Sequence, residues 1–197
     1  GSNTSEDGLD IAPAAFQSPA WSPDGSRILM TRISDKGKNE LILTDGQGKF
    51  EKSLATFDMN TAFAWSDQSD KIAYIEGKKT IQSGTLGTLH VLDLNTSKEL
   101  FKDEDDVIAF FWSPNGEKIA YFIQKVSSDS SSSSNGSGGQ SNSTGQAQQQ
   151  VLLQLKILDV PSGESKELFT FSPTDQFLGI LPYFDQYHQS VTSWSPD

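Results

Sequence analysis

Three short runs of the chain are apolar at every position: Ile28-Leu29-Met30, Ile72-Ala73-Tyr74-Ile75 and Ile119-Ala120-Tyr121-Phe122-Ile123. Alternation would mark a strand with one wet face; unbroken runs of this length, hemmed by turn residues, mark strands buried on both faces. They are too short for helices. Before each comes a turn, and before the turn an apolar stretch ending in Trp21, Trp65 or Trp112. After each comes a third run closing on aspartate: LILTD at Asp45, LHVLD at Asp93 and LKILD at Asp159. A more polar fourth run follows, such as Lys98-Glu99-Leu100-Phe101 or Lys166-Glu167-Leu168-Phe169. The pattern predicts four antiparallel strands per unit, apolar within and polar at the outer edge, which is one β-propeller blade.

The units repeat in register. The tryptophans, with Trp194 as the fourth, are separated by 44, 47 and 82 residues. Two markers in fixed order at a period in the mid-forties predict an array of supersecondary units. The expected fold is all-β, a propeller of four-stranded antiparallel blades with three full repeats and part of a fourth. The blades are expected at about 14–56, 57–102 and 103–170, with an incomplete one at 186–197, so the chain reads as a fragment of a larger propeller. Residues 1–13 read as a flexible tether or tag remnant, Gly1-Ser2 resembling a cleavage scar. An open run of blades leaves apolar faces uncovered, which predicts self-association.

Asp24 sits on the first turn, Ser22-Pro23-Asp24-Gly25, and invites a catalytic reading. Proline suits the second position of such a turn and glycine the fourth. Asp24 can accept bonds from nearby backbone N–H groups, and its counterparts are Gln68 and Asn115. A role that needs charge is not shared with an amide, so a turn role is expected. The tryptophans are expected to be core wedges.

WSPDG followed by an Arg/Lys-Ile-Leu/Ala run, with an LD strand about 25 residues on, resembles the TolB-type propeller repeat, a WD-like repeat also found in tricorn-like and prolyl oligopeptidase-like peptidases. The resemblance covers roughly residues 14–197. It implies six or seven blades in the whole protein and export to the periplasm or surface of a bacterium. The second repeat departs from the motif, with Asp67 for Pro and Ser69 for Gly.

The long third interval holds two insertions. Residues 126–150, serine-, glycine- and glutamine-rich, cannot bury enough apolar area to fold and read as a disordered loop. Residues 171–189, FSPTDQFLGILPYFDQYHQ, are apolar and aromatic and link two blades. Strand alternation puts both insertions on one rim, together with the acidic crossing Asp103-Glu104-Asp105-Asp106. Loops on a rigid scaffold commonly carry binding. The expected site for a protein or peptide partner is therefore Asp103, Glu104, Asp105, Asp106, Phe177, Leu178, Tyr183, Phe184, Tyr187 and His188. The bland readings are a solvated acidic loop and an aromatic plug between blades.

Composition narrows the function. A net charge of −11 with no cluster of Lys and Arg opposes nucleic acid and anionic membrane surfaces. No apolar run is long enough to insert in a membrane. There is no cysteine, which removes disulfides, thiol catalysis and thiolate zinc sites. With two histidines, and without G-x-S-x-G, H-E-x-x-H or a phosphate-binding loop, the usual catalytic sets are missing. D-x-D-x-D-G spacing is missing too, so neither metal nor cofactor is expected. The reading is a non-catalytic propeller for binding or scaffolding. The alternative is a propeller that gates or docks substrate for a peptidase whose catalytic domain lies outside this chain.

Overall fold

The computed structural model describes residues 19–81, 84–127, 150–184 and 194. The expected tether at 1–13, nearly all of the 126–150 insertion, and Tyr187 and His188 lie outside the described residues, as does the incomplete blade at 186–197 apart from Trp194. The described chain is built of antiparallel strands. The first sheet has the order β1-β2-β3-β4, from Ala20–Trp21, Arg27–Ile33, Asn39–Asp45 and Phe50–Phe57. The second has seven strands in the order β11-β10-β9-β8-β7-β6-β5. These are β5 Thr61–Trp65, β6 Lys71–Ile81, β7 Gly84–Asp93, β8 Lys98–Trp112, β9 Lys118–Ser127, β10 Gln150–Asp159 and β11 Glu164–Phe171.

The seven-stranded sheet is two four-stranded units that share β8. Its first half pairs with β7, from Asp93↔Lys98 to Leu89↔Asp103, and its second half with β9, from Val107↔Ile123 to Trp112↔Ile119. Against β7 the register jumps from Leu89↔Asp103 to Gly87↔Val107, and against β9 it shifts between Val107 and Ala109, so the acidic crossing is a bulged stretch inside one long strand and not a loop.

Of the three runs that read as apolar on both faces, Ile72–Ile75 is buried throughout, whereas Ile28, Met30, Ala120 and Phe122 in the outer units are only half-buried, each of those units having a described neighbour on one side alone. Leu29, Leu41, Leu43 and Phe57 pack with Phe63, Trp65, Ile72, Tyr74 and Leu94 of the following unit. A second core joins Ala64, Ala73 and Val91 to Phe110, Ile119, Tyr121 and Val160. Each interface carries a repeated bond. The Trp65 indole N–H donates to the Ala20 carbonyl (2.9 Å), and the Trp112 indole to that of Ala64 (3.4 Å). In both, a tryptophan reaches back to the residue that precedes the previous tryptophan.

One expectation fails here. Trp65 is 4% exposed, but Trp21 is 53% exposed. The wedge needs a preceding sheet to enter, and Trp21 has none among the described residues.

Residues 172–184 are partly helical. Helix α1, Asp175–Ile180, starts where the Thr174 hydroxyl accepts the Phe177 N–H (3.2 Å), and a 3-10 turn, Leu181–Tyr183, follows.

Candidate functional site

The recurrent polar residues build turns. In the first unit the Ser22 hydroxyl and the backbone N–H and hydroxyl of Ser26 all donate to Asp24 Oδ1, at 2.6, 3.0 and 2.8 Å. Those bonds, the Ser22 hydroxyl foremost, hold the Asp24 carboxyl down at about 2. Asn115 Oδ1 occupies the same place, accepting from the Ser113 hydroxyl (2.7 Å) and the Glu117 N–H (3.1 Å). In the second unit Asp70, two positions further on, takes the serine hydroxyl (Ser66, 3.0 Å), and Ser69 adopts the glycine conformation with φ of 59°. The turn therefore needs an oxygen acceptor and not a catalytic acid.

Two further repeated devices were not foreseen. Ser22, Ser66 and Ser113 are buried, and each hydroxyl accepts the N–H five residues on, from Arg27, Lys71 and Lys118 at 3.0, 3.1 and 2.8 Å. The aspartate ending each third strand caps the next turn: Asp45 accepts from Gln47 and Lys49, Asp93 from Asn95 and Thr96, Asp159 from Ser162. A recurring serine after the tryptophan and a recurring aspartate were the available signals. The two turns of each unit also join through Gly46 to Ser26, Leu94 to Asp70 and Val160 to Glu117, at 2.7–2.9 Å between N and O. That fixes one rim as the turn rim.

The other ends of the strands form the loop rim. Here Lys38 pairs with Asp58, Lys79 with Asp106 (3.0 Å), Lys102 with Glu104 (2.6 Å) and Lys125 with Asp105 (3.5 Å). The acidic crossing is thus matched by lysines and is not an anionic patch. Its innermost member is mostly buried: Asp103 Oδ2 receives the Tyr121 hydroxyl (2.8 Å) and Lys156 Nζ (3.1 Å). Tyr121 also meets the Ser165 hydroxyl at 2.5 Å. Burial opposes ionisation of Asp103, but the Asp105 N–H, Tyr121 and Lys156 outweigh it and hold the carboxyl below its usual range. Burial likewise opposes the Lys156 charge, and Asp103 and Asp105 outweigh it, raising that amine. The Tyr121 hydroxyl is pushed up, by burial first. This arrangement ties adjacent units together; a lysine held protonated and a phenol held neutral supply no general base.

The expected aromatic site divides. Phe184 is 3% exposed and sits edge-on to Phe110 and Phe111, with ring centroids 4.8 and 5.8 Å away. Phe177 packs on Phe122 and Phe171, and Leu178 lies against the same core. Tyr183 is half-buried. The described part of the segment packs on strands of the third unit and leaves Ile180 exposed. Glu104 and Asp106 remain at the surface of the crossing, both tied to lysines.

His90 is buried. It stacks on Tyr74 (centroids 4.7 Å apart) with Nδ1 2.6 Å from Glu99 and Nε2 3.1 Å from Glu76. Among the described residues no group of three His, Cys, Asp or Glu is arranged to hold a metal ion. No described helix is long and apolar enough to cross a membrane.

No family model matches the chain, and no curated protein matches it. Solved structures do. It is similar to the β-propeller domain of the Trilobed protease from Pyrococcus furiosus, with 17% identity over 78% of this chain and 43% of that one, at a TM-score of 0.53. It is also similar to an oligogalacturonate lyase in complex with manganese (13%, 79% and 39%, TM-score 0.49). A third is TolB from Acinetobacter baumannii (18%, 82% and 33%, TM-score 0.46). The chain spans less than half the length of each. The first likeness, together with the repeated units, shows the fold: this chain is a piece of a β-propeller.

Proposed function

We propose that the chain is a non-catalytic propeller module that binds a protein or peptide on its loop rim. One observation carries this. The hairpins β6–β7 and β9–β10, with strands of 10 or 11 residues, outrun β2–β3, whose strands have 7. With residues 172–184 they raise one rim into relief, while the turn rim is occupied by short, self-bonded turns. The contact surface on this reading is the outer crossing, Glu104 and Asp106 with Lys79, and the exposed side of α1 at Ile180. Asp103 and Phe184 support that surface from beneath. A TolB-type membership and a periplasmic or cell-surface location go with this reading through the WSPDG resemblance.

The test is affinity capture from extracts of the source cells with three forms of the protein. A loop-rim variant, Glu104→Ala with Ile180→Ser, is expected to lose the captured partner, and a turn-rim variant, Lys49→Ala, to keep it. The reverse pattern overturns the reading.

A second reading makes the chain the propeller part of a larger peptidase. It draws on the protease propeller among the neighbours, whose likeness reaches the fold only. An α/β-hydrolase segment downstream in the same reading frame would favour it.

A further inference from the structure

The β6–β7 hairpin outruns the strands beside it. On one side β5 pairs with β6 only as far as Thr61↔Glu76, and on the other β8 pairs with β7 only as far as Gly87↔Val107. Just there Gly77 faces Gly87 across the hairpin, and the register shifts between Gly77 and Lys79. A Cβ on Gly87 would run into the Glu76 carbonyl oxygen, and one on Gly77 into that of Asn60, so the backbones meet at an approach only glycine permits. The arms beyond this crossing are held by Lys78 to the Glu104 carbonyl (3.2 Å) and by Lys79 to Asp106 (3.0 Å).

His90 sits at the root of the hairpin and reaches both neighbouring strands, with Nε2 toward Glu76 on β6 and Nδ1 toward Glu99 on β8. A carboxylate only accepts, so both contacts are hydrogen bonds only when both ring nitrogens carry hydrogen, as in the imidazolium. The neutral ring has one N–H. The shorter contact, 2.6 Å to Glu99 against 3.1 Å to Glu76, marks Nδ1 as the nitrogen that keeps it. Nε2 then turns a lone pair toward the Glu76 carboxylate. The ring has little room to turn away, being buried and stacked on Tyr74.

The titratable groups around the ring are Tyr74, Glu76 and Lys78 on β6, and Glu99, Lys102 and Glu104 on β8. The 3-10 turn Leu181–Tyr183, which also meets β7, brings the Tyr183 phenol, and Lys52 of the first unit reaches the far end of β7, at Leu94 and Ser97. Lys102, opposite His90 in register, pairs with Glu104 at 2.6 Å. His90 is thus the group bonded to both Glu76 and Glu99.

We propose that His90 is a proton-operated latch on the β6–β7 hairpin. With two ring protons it ties β6 to β7 and β8 just below the glycine crossing. With one it keeps Glu99 and lets Glu76 go, and the arms beyond the crossing loosen. The latch does not depend on what the loop rim binds.

Nitrogen-15 NMR on the 197-residue chain tests this. Ring nitrogen shifts between about pH 5 and pH 9 report the protonation of His90. Exchange of the Lys78, Lys79, Thr85 and Leu86 amides, corrected for its intrinsic rise with pH, reports the hairpin. The ring is expected to lose the Nε2 proton, with hairpin exchange rising about fivefold over the same range, the scale of one half-exposed charged bond. Glu76→Gln should abolish the rise, because an amide accepts from Nε2–H and donates to a bare Nε2. Glu99→Gln should abolish it as well, by freeing the neutral ring to keep its proton on Nε2, facing Glu76. Both carboxylates are half-exposed, so each variant should keep the wild-type far-UV circular dichroism; should one fail to fold, the wild-type ring and hairpin readings decide. A ring that stays in one state throughout overturns the proposal, as does a neutral wild-type ring protonated at Nε2. Hairpin exchange that does not follow the ring, or a rise undiminished in either variant, overturns it too.

Discussion

The two junctions between units are made differently. At the first, β4 and β5 are separate strands joined by residues 58–60, and the contact is mainly apolar, with the indole of Trp65 bonded to Ala20 and the guanidinium of Arg27 5.6 Å from the Trp65 ring and bonded to the Ser69 carbonyl (2.8 Å). Arg27 and Lys52 cross it too, but their partners are carbonyls, a hydroxyl and a ring and not carboxylates, while Glu76 and Glu99 hold His90 within one unit, on β6, β8 and β7. At the second, β8 runs through without a break, and a charged cluster crosses with it: Asp103 from one side, Tyr121, Lys156 and Ser165 from the other. The first junction therefore rests chiefly on burial, with no carboxylate–cation pair described across it. The second adds charge pairs that respond to pH and salt. The same blade plan thus carries an apolar seam in one place and a charge-paired seam in the next.

Breaking the first junction should have the largest effect. Trp65→Ala removes a buried aromatic and is expected to cost about 3–5 kcal/mol, read as a shift in the urea midpoint. Trp21→Ala, the same change at an exposed site, should cost less than about 0.5 kcal/mol. Equal losses would erase the distinction between the two tryptophans.

At the second junction, Asp103→Asn leaves Lys156 mostly buried without its main counter-ion. Discounted for the solvent that still reaches the amine, the expected loss is about 1–2 kcal/mol. Adding Lys156→Gln should recover part of it in a double-mutant cycle. Strict additivity would mean that the pair does not couple.

The pH profile sharpens the same contrast. Asp103 is lowered in the folded state, so its contribution is present above the ordinary carboxylate range, near about 4, and is lost as pH falls through its depressed value. Lys156 is raised, so its contribution is present below about 10.4 and lost as pH rises through its elevated value. Wild-type stability minus that of Asp103→Asn should be greatest between those limits and shrink below about pH 4. A difference that is flat from pH 7 to pH 2 would remove the charge pair from the account. The smallest effect is expected at Asp24→Asn, since Asn115 makes the same turn, with a larger loss for Asp24→Ala. A loss for Asn as large as for Ala would mean that the negative charge matters.

The period of the blades was legible because Trp, Ser-Pro-Asp/Asn-Gly and Leu-Asp each answer a local demand of the backbone: a wedge, a tight turn, a capped turn. Asp24 could be read as a turn residue for the same reason, its counterparts lying in the same string. The lysines that neutralise the acidic crossing were not legible. Lys156 lies 53 residues from Asp103, and only the sheet brings them together. The continuity of β8 was hidden because Asp103-Glu104-Asp105-Asp106 has low strand propensity by composition, which its lysine partners override. Helix α1 had a local signal, Thr174 followed by Asp175, that a reading tuned to strands passed over. The exposure of Trp21 could not be seen in a motif it shares with Trp65, because burial depends on which sheet stands beside it.

Hydrogen exchange of the indole N–H groups, followed by NMR on the protein in dilute solution, tests the central claim most directly. Each interior tryptophan should be stapled to the sheet before it: slow exchange at Trp65 and Trp112, and exchange at Trp21 faster by orders of magnitude. Comparable rates at Trp21 and Trp65 would contradict the stacking of units on which the rest stands.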